Sequence, residues 1–373
     1  MRIAHVTDFY LPRLGGIELH VSDLSDRQRA AGHEVEILTS SPGPADRFVT
    51  RLTDGFRRPH VLHPGGLPAG IRAVLAGRYD VVHAHVGVGS PLAFFVARAA
   101  ARAGIPVVLT VHSMWAGVRP LMAAFDLVGR WSRLPIVWTA VSEAAAVPVR
   151  RLLPRDRPVM VIPNGIDQHR WRGPAAPEAA GELVLAAVMR LSLRKRPFAL
   201  LRMVREAQAR LGSGTRLHLL VAGDGPLLRW VQASARRHGM TGSVTLAGRL
   251  DRGAVRELLR GAHVFVAPAD LESFGIAALE ARCAGLPVVA KASGGVREFV
   301  RHEVEGLLCD TDEDMVQALV RLGAEPTLRT TIADHNRTAA CRVDWTCVLE
   351  STEAAYAWAT ERSTAPEPLA EVS

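Results

Sequence analysis

The feature that most constrains the fold is a regular alternation, run through twice, of short β-branched apolar segments with longer helical stretches. Strands are expected at Arg2–Thr7, Glu34–Thr39 (after a turn at Gly32-His33), Asp80–His85, Val107–Val111, Trp138–Val141 and Pro158–Ile162, with a helix over Gly16–Ala31. The segment Trp171–Glu182, rich in Ala, Pro and Gly, reads as a linker. The pattern then restarts with strands at Leu183–Val188, Arg216–Ala222, Val244–Ala247, Val264–Ala267, Pro287–Ala290 and Gly306–Cys309. Helices are expected at Arg196–Leu211, Leu227–His238 and Asp251–Gly261 and around Glu272. Apolar strands separated by helices imply parallel sheets covered on both faces. A chain of 373 residues exceeds what one core usually serves. The expected class is therefore α/β, two doubly wound Rossmann-like domains over residues 1–170 and 178–344. An amphipathic helix at Trp345–Thr360 and a disordered tail over 363–373 follow.

Open sheets of this kind bind ligands outside the carboxyl ends of their strands, so two such domains predict a cleft between them. The loops at those ends carry the informative residues. Glu272-Ser273-Phe274-Gly275 leads into a helix holding Glu280, with Ser273 or Phe274 expected to start it. Free N–H groups there suit an anion, Gly275 permits close backbone approach, and Glu280 could accept bonds from a ribose diol. The same glutamates could equally be caps or solvated helix residues. Arg190 and Lys195 lie on another strand-to-helix loop. Of 45 basic residues only Lys195 and Lys291 are lysine, so a compact point charge at 195 stands out. Together Arg190 and Lys195 would neutralise a diphosphate. Gly15-Gly16 opens the first helix without the GxGxxG spacing of nicotinamide-binding proteins, and Ala222-Gly223-Asp224-Gly225-Pro226 and Gly294-Gly295 are further tight turns. His83, His85 and His112 end strands. No carboxylate accompanies them, so no metal site is expected; His112 suits a polar ligand and His83 packing.

No run of apolar residues is long enough for a membrane span, and the chain enters a strand pattern at once, so neither leader nor membrane helix is expected. Four cysteines without CxxC spacing suggest a reduced cytoplasmic setting, free of disulfides and zinc. The net charge of +8 resides mostly in residues 1–170, where 20 arginines face 13 acidic residues. That excess suits an anionic acceptor or membrane surface, with Arg51, Arg57, Arg58, Arg72, Arg78, Arg130, Arg133, Arg150 and Arg151 as candidates, unless it is simply a solvated surface. Aromatic content of 5%, not interleaved with the basic residues, argues against nucleic acid.

Taken together these segments resemble the retaining glycosyltransferases of family 4, which have the two-domain GT-B fold, and in particular bacterial mannosyl- and glucosyltransferases such as the phosphatidylinositol mannosyltransferases. The resemblance spans nearly the whole chain: the opening strand, Gly-Gly loop and helix, then "DVVHAH" at 80–85, "TVH" at 110–112, "VSE" at 141–143, "IPNGID" at 162–167, "RLSLRK" at 190–195, "AGDGP" at 222–226 and the two glutamates eight residues apart at 272 and 280. It implies that the second domain holds a GDP- or UDP-sugar, a substrate rather than a cofactor. By that analogy Glu280 binds the ribose, Arg190 and Lys195 the diphosphate, and Glu272 with the backbone of Ser273, Phe274 and Gly275 the sugar and distal phosphate, Leu279 also belonging to the donor site. Gly248, Arg249 and Leu250 meet the base. From the first domain Gly15 and Gly16 approach the diphosphate and the acceptor and His112 the donor sugar, while the helix over 345–362 crosses back onto that domain. Glu272, Arg190, Lys195 and His112 are the implied catalytic set, needing no metal. The implied reaction moves a hexose to a hydroxyl acceptor, lipid-linked or otherwise anionic, in the cytoplasm or at the inner face of the membrane. A nucleotide-sugar epimerase of the same fold, or a non-catalytic nucleotide-sugar-binding protein, is the alternative. Arg297, where the family usually has proline, and Asp270-Leu271 before Glu272 depart from the common pattern.

Overall fold

The computed structural model describes residues 1–53, 66–174, 181–341 and 343–364. Two compact units emerge, Met1–Gly165 with Trp345–Ser373, and Ile166–Asp344. The unit boundary thus precedes the 171–182 segment, of which residues 175–180 lie outside the described residues. Of the tail expected over 363–373, Ser363 and Thr364 instead continue the last helix and 365–373 lie outside the described residues, as do Arg57 and Arg58.

Unit 1 contains strands β1 (Arg2–Thr7), β2 (Glu34–Thr39), β3 (Val49–Arg51), β4 (Val81–Val86), β5 (Val107–Val111), β6 (Ile136–Ala140) and β7 (Val159–Val161). Its helices are α1 (Gly16–Ala30), α2 (Gly66–Ala76), α3 (Pro91–Arg102), α4 (Arg119–Gly129) and α5 (Glu143–Arg150). The seven strands are parallel in the order β3-β2-β1-β4-β5-β6-β7. β4, β5 and β6 are buried along their whole length, as strands covered on both faces must be.

Unit 2 opens with α6 (Gln168–Trp171) and holds β8 (Glu182–Val188), α7 (Pro197–Leu211), β9 (Arg216–Ala222), α8 (Leu228–Arg237), β10 (Val244–Gly248), α9 (Arg252–Arg260), β11 (Val264–Ala267), α10 (Ile276–Cys283), β12 (Val288–Lys291), β13 (Gly306–Cys309), α11 (Asp312–Ala324) and α12 (Pro326–Thr338). Its six strands are parallel in the order β10-β9-β8-β11-β12-β13. Leu185, Leu219, Val264 and Val289 from the sheet pack with Leu200, Met203, Val204, Met315 and Leu319 from α7 and α11.

The last helix, α13 (Trp345–Thr364), belongs to unit 1. Trp345, Val348, Ala355, Tyr356 and Ala359 pack on Ile3, Val81, Val108 and Val137. In both sheets strand order reverses once, between β1 and β4 and between β8 and β11, and the loops leaving those strands are where a doubly wound sheet binds its ligand.

Candidate active site

The loops after β8 and β11, the pair flanking the reversal in unit 2, carry Lys195 and Glu272. Three consecutive basic residues fasten one loop to the other. Arg194 donates to the Leu271 carbonyl at 3.2 Å, the Lys195 ammonium hydrogen-bonds the Glu272 carboxylate, and Arg196 donates to the Pro268 carbonyl at 3.0 Å and to Asp270 at 3.1 Å. Arg196 also forms a two-pronged pair with Asp312 at 2.9 and 2.8 Å. Buried Lys291 approaches the same carboxylate at 3.0 Å. The Arg196 guanidinium, with Lys291 assisting, holds Asp312 down to about 2. Both lysines of this arginine-rich chain therefore sit in one network. Arg190 stands exposed nearby in sequence, with no ion pair among the described residues.

Glycines shape the rest of the loop. Gly275 has φ 95°, the left-handed region, and caps α10, which starts at Ile276 and not at Ser273 or Phe274 as expected. A side chain at 273 could have capped the helix, but the left-handed residue between delays it. Gly295 donates its N–H to the Glu272 carbonyl at 2.9 Å, and a Cβ there would lie 2.3 Å from the Ser273 oxygen. The 223–225 turn packs likewise on the loop after β8: Leu191 donates to the Asp224 carbonyl at 2.9 Å, and a Cβ on Gly223 would meet the Met189 oxygen.

The remaining expected donor contacts are placed unevenly. Glu280 is buried with Arg252 3.7 Å from its carboxylate. Gly248 turns with φ 68° at the end of β10, and Arg249 and Leu250 follow it toward α9. Phe274 packs on Phe299 and Leu279 is fully buried, so these two offer backbone rather than side chain to any ligand.

In unit 1 Gly15 caps α1, and the buried Glu18 carboxylate, paired to Arg13 at 3.1 Å, fills the space beneath it. The neighbouring anion site at the start of α3 is occupied by the protein itself: the buried Asp8 carboxylate accepts the N–H groups of Leu92 and Ala93 at 3.0 and 3.1 Å. Burial nevertheless raises Asp8 to about 7. Of the arginines expected to meet an anionic surface, Arg51 is engaged by the carbonyls of Leu11, Ser41 and Pro44, and Arg150 by Glu143, so neither is free for that purpose.

The histidines form a buried chain that the sequence reading saw only in part. Gln28 Oε1 faces His5 Nε2 at 2.7 Å, His5 Nδ1 faces His85 Nε2 at 2.8 Å, and His85 Nδ1 faces His112 Nε2 at 3.0 Å. A branch runs from Gln28 Nε2 to the Tyr356 hydroxyl at 2.9 Å, on to His83 at 2.8 Å, then Thr110 and Thr139. Desolvation holds these five rings below their ordinary value, His5 at about 4, His20 at about 3, and His83, His85 and His112 likewise well below 6.5. The rings are thus neutral, and each can donate on one side and accept on the other. Two triads, His5/His83/His85 and His20/His85/His112, bring ring nitrogens within 4.8 Å of one another. A cation there would have to displace protons already shared between those nitrogens.

Residues 14–170 match the family described as Glycosyltransferase Family 4, and residues 173–338 match Glycosyl transferases group 1. A D-inositol 3-phosphate glycosyltransferase of Actinosynnema mirum is 31% identical, with 92% of each chain covered. The chain belongs to glycosyltransferase family 4. It is accordingly a glycosyltransferase of a retaining hexosyltransferase family, taking its sugar from a nucleotide-sugar donor. A glycogen synthase of Mycobacterium tuberculosis is 29% identical over 99% of this chain and 97% of its own. Among solved structures, HepE of Anabaena in complex with UDP and glucose superposes with a TM-score of 0.76 at 20% identity, covering 96% of this chain and 99% of that one. Sucrose-phosphate synthase of Thermosynechococcus elongatus gives 0.74 at 21%, covering 95% and 98%. These likenesses establish the GT-B fold.

In this glycosyltransferase the structure brings Lys195 and Glu272 into contact, leaves Arg190 exposed, and buries Glu280. Sequence reasoning missed Arg196 and Asp312, indistinguishable among many arginines and acids. It named Lys291 without a role, though scarcity was a usable signal. His5, His20, Gln28 and Tyr356 carried no local signal at all.

Proposed function

We propose that this protein transfers a hexose from a UDP- or GDP-sugar to a hydroxyl of an anionic or lipid-linked acceptor, retaining the anomeric configuration without a metal ion. The observation that supports this most is the fastening of the Pro268–Glu272 loop by Arg194, Lys195 and Arg196, which sets Lys195 against Glu272 at the point of strand reversal. Arg190 and Lys195 meet the diphosphate, Glu272 and the amides of Ser273–Gly275 the sugar and distal phosphate, and Glu280 the ribose. Gly248–Leu250 take the base. From unit 1, Gly15 and Gly16 approach the diphosphate and His112 the sugar. Charge develops on the departing diphosphate oxygen, which takes the acceptor's proton, while the cations stabilise it. No protein nucleophile is required.

An anionic acceptor is supported by the arginine excess of residues 1–170 and by relatives named for D-inositol 3-phosphate. No helix among the described residues is long and apolar enough to cross a membrane, so action at the inner face of the cell membrane would be peripheral. Lys195→Ala and Glu272→Ala should each abolish transfer while leaving the melting temperature near that of the parent. A thermal-shift screen of UDP-glucose, GDP-mannose and related donors identifies the nucleotide, since a bound donor stabilises by mass action. Parental transfer rates in both variants would overturn the site.

A further inference from the structure

Helix α4 carries its apolar residues on the wrong side. Its inward face, Met122, Phe125 and Gly129 at helical spacing, is held by an aromatic cluster: Phe125 stacks on Trp131 at 4.3 Å and meets Phe94 edge-on. The opposite face is Pro120, Leu121, Ala123, Ala124, Leu127 and Val128, every one exposed. Leu121 is 62% exposed, Leu127 79% and Val128 78%, where an outward helix face normally carries charge. The only acid on the helix, Asp126, is occupied by the backbone and hydroxyl of Ser132.

Cations frame this apolar strip. Arg119 stands at its start, Arg130 and Arg133 just beyond its end, all exposed and none in an ion pair among the described residues. Arg130 takes the left-handed C-cap position, φ 53°, where glycine or asparagine is usual, so an arginine is kept there against its backbone preference.

From these contacts we infer that α4 is a docking helix for an anionic lipid surface. It would lie in the plane of the interface, with Leu121, Leu127 and Val128 among the acyl chains and the three guanidiniums at the headgroup phosphates. A second copy of the chain fits poorly, because antiparallel pairing of two such helices would set Arg119 of one against Arg130 of the other. The inference deepens the proposed function and rests on its membrane-side acceptor only for its purpose.

Sedimentation with phosphatidylcholine vesicles, with and without phosphatidylglycerol, tests it on the full chain. The parent should bind the anionic vesicles at low salt, release at high salt, and ignore the neutral ones. The double variant Leu127→Asp/Val128→Asp should lose about tenfold or more in vesicle affinity, and Arg119→Glu/Arg130→Glu should lose the salt-sensitive part. Both variants should keep the parental donor-induced thermal shift, which shows that fold and donor site are intact. No parental binding at low salt, parental binding by the aspartate variant, or a parental dimer in sedimentation velocity that the aspartates dissociate would each overturn the docking role. Lys195→Ala should bind vesicles like the parent, whereas vesicle binding by the parent without any donor-induced thermal shift would sink the transferase site and leave the docking helix standing.

Discussion

Gln28 presents its side-chain carbonyl to His5 Nε2 at 2.7 Å, two rings upstream of His112. The orientation of that one amide sets the sense of the whole chain. With the carbonyl toward His5, His5 donates from Nε2, His85 donates from Nε2 to His5, and His112 donates from Nε2 to His85. His112 then keeps its lone pair on Nδ1. Turning the amide reverses every bond in the main chain and in the Tyr356 branch, and moves the His112 proton to Nδ1. Gln28→Leu removes this reference, strands the buried His5 Nε2 and leaves the Tyr356 hydroxyl with His83 alone, at a cost of about 1–3 kcal/mol. Urea unfolding should show that loss, and nitrogen-15 spectra of the histidine rings should change from one His112 tautomer to a mixture. An unchanged ring spectrum would refute the relay even if stability fell.

Acid should weaken unit 1 above the pH range in which ordinary carboxylates protonate. The unfolded chain protonates these five rings near their ordinary value of 6.5, while burial keeps the folded rings neutral, His5 down to about 4 and His20 to about 3. Between those limits the unfolded state binds more protons, so stability rises with pH there and falls on acidification. Asp8 works in the opposite sense, because the folded state keeps its proton up to about 7 where the unfolded chain has released it. One carboxyl against five rings leaves acidification destabilising by several kcal/mol between about pH 7 and about pH 5. Urea titrations at the two pH values check this, and equal stabilities would contradict neutral, buried histidines.

Arg196 is expected to matter more than the neighbouring cations on the same acid. Its fork reaches Asp312 twice and the Pro268 carbonyl once, so Arg196→Lys keeps the charge and loses the geometry. Stability should drop by about 1–2 kcal/mol, and the KM for donor should rise several-fold as the Lys195–Glu272 contact loosens. Arg202 also touches Asp312 but is half exposed, and Arg202→Ala should change stability by only about 0.5 kcal/mol. Matching donor KM values for the two variants would remove the special role of Arg196.

The architecture was legible because parallel strands covered on both faces leave unbroken apolar runs such as Val107–Val111. Lys195 could be singled out because lysine is rare here. The start of α10 could not be read correctly: Ser273 resembles a cap, and only the left-handed backbone of Gly275 reveals that the helix begins later. Arg196 was hidden among arginines of equal local character. The Gln28–Tyr356 bond joins residues 328 positions apart, and no periodicity or spacing encodes such a pairing. The outward apolar face of α4 was equally invisible, since its residues at helical spacing look like any core-facing stripe until burial is known.

Gly295 offers the sharpest test of how the Glu272 loop is held. Its N–H bonds the Glu272 carbonyl at 2.9 Å, and a Cβ would fall 2.3 Å from the Ser273 oxygen and 2.9 Å from the Phe274 Cα. Those are backbone atoms, unable to swing aside as a flexible side chain would. Gly295→Ala must therefore displace the 272–275 loop or break the bond, costing about 1–3 kcal/mol of stability. Because that loop carries Glu272 against Lys195, donor KM should rise about tenfold or more, since small displacements of positioning groups cost rate and affinity steeply. Gly242→Ala is the matched control, because nothing lies within 4 Å of its Cβ position, and both its melting temperature and its donor KM should stay at parental values. Steady-state kinetics and thermal melts on the two variants decide the matter: a Gly295→Ala enzyme with parental donor KM would show that the Glu272 loop is positioned by something other than its contact with the 294–295 turn.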